Sequence, residues 1–143
     1  MKGKSRGAHT SPLSRTKKSL QEDGYTVEIT EYMKTGYDAK TRRAFAYRKD
    51  LLGIGDLLAL KAGQPPLLVQ CTNIDHFAER VQKVQNSHLS PLWLACGGRA
   101  AVWGWSLKQW KGKTKKWQPT VWEMDGKSEL TQQHEKRILT SPE

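Results

Sequence analysis

The sequence predicts an α/β (α+β) domain in which a mixed β-sheet is flanked by helices and followed by a C-terminal β-hairpin. Two segments carry apolar residues at helical spacing. Several short segments around them are either period-two or continuously apolar, and Gly- and Pro-rich turns separate these. Elements alternating in this way along 143 residues fit one domain with helices on a sheet, in the order α-β-β-β-α-β-β-β.

Residues 1–10 hold Lys2, Lys4 and Arg6, two glycines and no acid, and read as a flexible basic arm. The domain proper is expected over 11–125. Ser11 followed by Pro12 is an N-cap with proline at the first helical position. Leu13, Thr16 and Leu20 then recur at helical spacing until Gly24, which predicts a helix over 12–23 with Arg15, Lys17 and Lys18 turned outward. Residues 25–32 alternate and predict a half-buried strand with Tyr25, Val27 and Ile29 on one face. Residues 33–49 show no period and read as a long basic loop, with Tyr37, Phe45 and Tyr47 set among its cations. Two apolar runs, 55–61 and 67–71, flank the turn at 62–66 and predict a central hairpin buried on both faces. Ile74, Phe77, Ala78, Val81 and Val84 form a helical stripe ending near Asn86. Residues 91–96 read as a strand, Gly97-Gly98 as a turn, and 100–107 as another strand. A Lys-rich turn then leads to a last strand near 118–123, and 126–143 form a polar tail, frayed or briefly helical.

Lys and Arg number 24 against 14 Asp and Glu, a net charge of +10 that suits a polyanionic partner. No stretch approaches the roughly 20 apolar residues of a membrane span. The basic start, Met-Lys-Gly-Lys-Ser-Arg, lacks the apolar run of a secretory signal. Cys71 and Cys96 have neither Cys-x-x-Cys spacing nor a His pair, which excludes a sequence-visible zinc site. Both lie in apolar runs and read as buried free thiols of a cytoplasmic protein.

Asp56 stands at the entrance of an apolar strand, where a carboxylate is costly to bury without a cation or donors. The hairpin brings it to the same end as Gln70. Oxygen ligands, including the Cys71 backbone carbonyl, then converge where a hard cation such as Mg²⁺ would fit.

These residues, with their order of elements, resemble the PD-(D/E)XK nuclease superfamily, and more closely the archaeal-type Holliday junction resolvases and their small phage-borne relatives. The likeness spans roughly residues 12–124. It is carried by the run from Arg48 through Asp50, Gly53, Gly55 and Asp56 to Leu60, by Leu68-Val69-Gln70-Cys71-Thr72, by His76 with Arg80 and Lys83, and by Gly104-Trp105. The resemblance implies a restriction-endonuclease-like αβββαβ core and a Mg²⁺- or Mn²⁺-dependent endonuclease that hydrolyses phosphodiesters of branched or four-way DNA. It also implies a homodimer, in the host cytoplasm if the chain is phage-encoded. Asp56 matches the metal-binding Asp. Gln70 stands at the position of the second acid, where Gln is a known replacement, and Thr72 stands where the family has its catalytic Lys. Asp50 or Glu31 would restore negative charge around the metal, and Lys49 or Lys83 would replace the missing Lys. The absent Lys equally permits a nuclease fold that binds DNA without cutting, and the basic loops with their aromatics permit an RNA-binding module.

Arg80 and Lys83 lie with His76 on one helix face. Together with Lys4, Arg6, Arg42, Arg43, Arg48, Lys49, Lys113 and Lys115 they are the expected nucleic-acid contacts. Each residue type also has an ordinary structural use. Asp56 can accept turn hydrogen bonds, Gln70 can satisfy a neighbouring strand, Asp50 can pair with Arg48 or Lys49, Glu31 can be a solvated strand-end acid, and the charged helix face can be only a solvated one. Trp103 and Trp105 share a strand face and suit core packing. Trp110 and Trp117 flank the Lys-rich turn, where a cross-strand pair is favoured over base stacking.

Overall fold

The computed structural model describes residues 10–109, 112, 114–124, 139 and 140. Helix α1 (Pro12–Glu22) is followed by strands β1 (Thr26–Ile29), β2 (Tyr32–Asp38), β3 (Arg43–Lys49), β4 (Leu57–Leu60) and β5 (Leu67–Asn73). A 3-10 turn (Ile74–His76) leads into α2 (Phe77–Asn86), and then come α3 (Ser90–Ala95), β6 (Arg99–Lys108), β7 (Lys116–Glu123) and the short β8 (Leu139–Thr140). Six strands form a mixed sheet in the order β1-β4-β5-β6-β7-β8, and β2 and β3 form a separate two-stranded sheet. Strands β5 and β6 run parallel; the other neighbours in the sheet run antiparallel. Setting the β2–β3 hairpin and the short α3 aside, the order α-β-β-β-α-β is present in a mixed sheet with helices on both faces, and β6–β7 is the predicted C-terminal hairpin.

Period two in β5 divides the core. Leu67 and Val69 pack with Leu20, Val27, Leu57 and Ala59 under α1. Leu68 packs with Phe77, Val81, Val84 and Val102 under α2. Gln70 and Thr72 are therefore on the α2 face, and both are buried. Helix α1 begins as its sequence indicates, with Ser11 Oγ accepting from the Ser14 N–H at 3.1 Å.

Several expectations are corrected. The strand predicted over 25–32 ends at Ile29, because the Thr30 and Glu31 N–H groups both turn to the Asp56 carbonyl at 2.7 and 3.3 Å. The predicted loop over 33–49 is instead the β2–β3 hairpin. Its alternation is invisible in sequence because neither face is buried, so no apolar period was imposed on it. Residues 91–96 belong to a helix. Pro91 in its first turn was the available signal, and Trp93 packs inward while Leu92 faces out. Arg15 does not face solvent: its guanidinium lies 3.6 Å from the Trp117 ring centroid and 5.4 Å from that of Trp105. Trp117 sits opposite Leu107. Cys71 is half-buried and Cys96 exposed, since its segment is helical rather than an inner strand. Of the predicted tail, Leu139–Thr140 pairs with β7. Lys4, Arg6, Trp110 and Lys113 lie outside the described residues, as does the rest of the arm apart from Thr10. Among the described residues, no helix is long and apolar enough to cross a membrane.

Candidate metal centre

Three acids from two connections, Glu31 between β1 and β2 and Asp50 and Asp56 between β3 and β4, meet at the sheet end where β4 begins. One carboxylate oxygen from each of Glu31, Asp50 and Asp56 lies within 4.8 Å of the others. Asp56 is fixed first, its N–H bonding the Val69 carbonyl at 2.8 Å and its Oδ2 accepting from the Cys71 N–H at 3.0 Å. Its own carbonyl receives the Glu31 N–H and so ties Glu31 alongside. Asp50 arrives through a tight loop. Leu51 and Gly55 bridge, Gly53 has φ +69°, Ile54 is fully buried, and the Ser87 hydroxyl donates to the Leu52 carbonyl at 3.0 Å. That brace from the end of α2 was not read from the sequence, since the positive φ of Leu52 and Gly53 is set by the fold.

Opposite the acids, α2 supplies cations one turn apart. Lys83 Nζ pairs with Asp50 Oδ2 and lies 3.2 Å from Gln70 Oε1, and Arg80 Nη1 donates to the same oxygen at 3.1 Å. Gln70 Nε2 faces Asp50 Oδ2 at 3.1 Å. The amide thus turns its oxygen to the cations and its NH₂ to the acid, so it bridges the two sets of charges. Arg80 Nε is enclosed and has no partner among the described residues. The Cys71 carbonyl lies on the same side of its strand as its N–H, toward Asp56, as strand alternation requires.

Burial, reinforced by Asp50 and Glu31 and opposed by the Cys71 N–H, pushes the Asp56 carboxyl up to about 7. Burial acts on Asp50 in the same sense, but hydrogen bonds from Asp56, Lys83 and Gln70 outweigh it and hold Asp50 below the ordinary range. Of the two crowded carboxylates, Asp56 is therefore the one that holds a proton as pH rises toward neutral. A divalent cation bound by Glu31, Asp50 and Asp56 would displace that proton and neutralise the same charge, so the donor set fits a hard metal. Burial, then the Asp56 charge, raises the Cys71 thiol, which leaves its carbonyl rather than its sulfur as the available donor.

The structure therefore brings together Glu31, Asp50, Asp56, Gln70, Arg80, Lys83 and the Cys71 backbone. Thr72 is buried in β5 and offers no charge, so the amine nearest the acids is that of Lys83. His76 is exposed and faces Glu79 at 3.3 Å rather than the acids. Arg48 lies 3.9 Å from Glu31, Lys49 ends β3 opposite Tyr32, Arg42 and Arg43 are at the hairpin turn, and exposed Lys115 precedes β7. Compared with protein-family models, with curated proteins and with solved structures, the chain matches none.

Proposed function

We propose that this protein is a metal-dependent, structure-selective DNA endonuclease that hydrolyses phosphodiesters, similar to the Holliday junction resolvases of the PD-(D/E)XK superfamily. The observation that carries this reading is the Glu31–Asp50–Asp56 cluster, placed where the second and third strands of an αβββαβ core come together, with the Lys83 amine against it. Glu31, Asp50 and Asp56, with the Cys71 carbonyl, would hold Mg²⁺ or Mn²⁺. The metal would supply charge neutralisation and polarisation of a phosphoryl oxygen.

The remaining work belongs to the chain's own groups. Lys83, the nearest cation, replaces the Lys absent at Thr72 and contacts the scissile phosphate. Arg80, whose Nε is enclosed and whose Nη1 is on Gln70 Oε1, adds positive charge behind Lys83. Gln70 positions both cations through one carbonyl oxygen. Arg42, Arg43, Arg48, Lys49 and Lys115 hold the flanking backbone. A two-fold branched substrate suits a homodimer.

Cleavage of a labelled four-way junction with Mg²⁺ or Mn²⁺ is expected, and Asp56→Ala is expected to abolish it. Activity unaffected by that change overturns the site. The second reading, binding without cutting, is favoured by Thr72 and by the tie between Lys83 and Asp50. It predicts salt-sensitive junction binding with no cleavage under either metal. Competition between junction, duplex and structured RNA at fixed salt separates both from an RNA-binding role.

A further inference from the structure

The β2–β3 hairpin contributes nothing to either core, yet it presents Tyr32, Met33, Tyr37, Phe45 and Tyr47 to solvent at 41–64% exposure. Its register sorts the side chains. Tyr32 pairs with Lys49, Lys34 with Tyr47, Gly36 with Phe45 and Asp38 with Arg43, and cross-strand partners share a face. One face therefore alternates three aromatic rings with three cations: Tyr32, Phe45 and Tyr47 with Lys34, Arg43 and Lys49. Phe45 and Tyr47 are stacked, with centroids 6.1 Å apart and planes 29° from parallel. The Phe45 ring lies across Gly36, where a Cβ would come within 2.4 Å of it, and this leaves its outer side open. Over residues 32–49 there are six Lys and Arg and one Asp, so the charge favours a polyanion over a second copy of the same ribbon.

Fully paired DNA offers such a face only phosphates, whereas unpaired bases offer rings to stack on as well. Glu31 immediately precedes the ribbon and Asp50 immediately follows it, so whatever binds there is held beside the acids.

We propose that the β2–β3 ribbon is a stacking platform for unpaired bases of a DNA strand, and that among the DNA structures the site accepts it favours those with a single-stranded segment over those paired throughout. The proposal rests on the nuclease reading for the choice of DNA. Binding is therefore measured without divalent metal, where the two readings fail separately.

The probe is a duplex interrupted by a short single-stranded gap that carries a fluorescent adenine analogue, with a gapless duplex of the same sequence as control. Wild-type protein is expected to quench the analogue and to bind the gapped duplex more tightly. Phe45→Ala combined with Tyr47→Ala is expected to remove the quenching and weaken gapped binding by about tenfold or more, with little change on the gapless duplex. Tyr47→Phe alone is expected to preserve both. Equal loss on the two duplexes, unchanged quenching in the double variant, or a dimer-to-monomer shift in that variant without a change in quenching overturns the platform. Failure of metal-dependent cleavage with quenching intact overturns only the nuclease reading.

Discussion

Asp56 is the residue on which the site turns, and its protonation has a measurable sign. Its folded value of about 7 lies above the ordinary 3.8 of an aspartate in the unfolded chain. A group raised in this way contributes stability that is complete below the unfolded value and is lost as pH rises through the folded one. Asp50, shifted the other way, acts only at the acid end, outside that window. The metal-free protein is therefore expected to lose melting temperature between about pH 4 and pH 7. Mg²⁺ should restore more of it at the upper end, and Asp56→Asn, which keeps an acceptor for the Cys71 N–H, should flatten the profile. Thermal denaturation of both proteins across that range, with and without metal, checks this. Lys83 is 42% exposed but its partner Asp50 only 8%, so removing the amine leaves a buried carboxylate without its cation. Lys83→Ala is expected to lower single-turnover cleavage by about a hundredfold and to lower the melting temperature as well, whereas Lys83→Arg, which keeps the charge, is expected to preserve the melting temperature. Asp56 and Gln70 were legible in the sequence, because a carboxylate at the start of an apolar run demands partners and the hairpin sets Gln70 beside it, whereas Asp50, Glu31 and Lys83 were suggested only by the family resemblance. The direction of the Gln70 amide was not legible, since it is set by Arg80 and Lys83 arriving from another element.

Among the elements, those with a buried face were legible. Helices α1 and α2 and strands β4, β5 and β6 each impose an apolar period on their residues. The hairpin escaped because its two faces meet water, and α3 because six residues are too few to show a helical period. The loop from Asp50 to Gly55 combines both problems. It is held by one bridge, a left-handed pair and a hydroxyl, none of which leaves a pattern. Gly53→Ala is expected to destabilise the fold by about 1 kcal/mol through its positive φ, and also to weaken metal binding, because a Cβ there comes within 3.2 Å of Ser87 Oγ and displaces the brace behind Asp50. Gly63→Ala is the control, with φ +83° and nothing within 4 Å. It should cost similar stability and leave metal affinity unchanged. Chemical denaturation and calorimetric metal titration distinguish the two.

At the scale of the whole molecule, the charge of +10 is not spread evenly: the ribbon over 32–49 carries six of the 24 Lys and Arg against one acid, while three acids cluster at its base. Net charge announced a polyanion but not where it would lie, because the layout depends on which residues the sheet gathers. DNA binding is expected to weaken linearly in log K against log salt, with a slope of about −0.9 per phosphate neutralised. Removing Arg42 and Arg43 together should reduce that slope by about 2. Salt titrations of wild-type and doubly substituted protein test this.

The closing of the ribbon at its base has an architectural consequence. Tyr32 and Lys49 are partners in register, so the chain leaves the fold and re-enters it through two adjacent backbone positions. Everything between is a cassette, about 24 Å long by strand rise, that plugs into a socket. A chain in which residues 33–48 give way to a tight Asn-Gly turn should keep the six-stranded sheet and its acidic cluster intact. The same socket should accept ribbons of other lengths and compositions without the rest of the fold having to adjust.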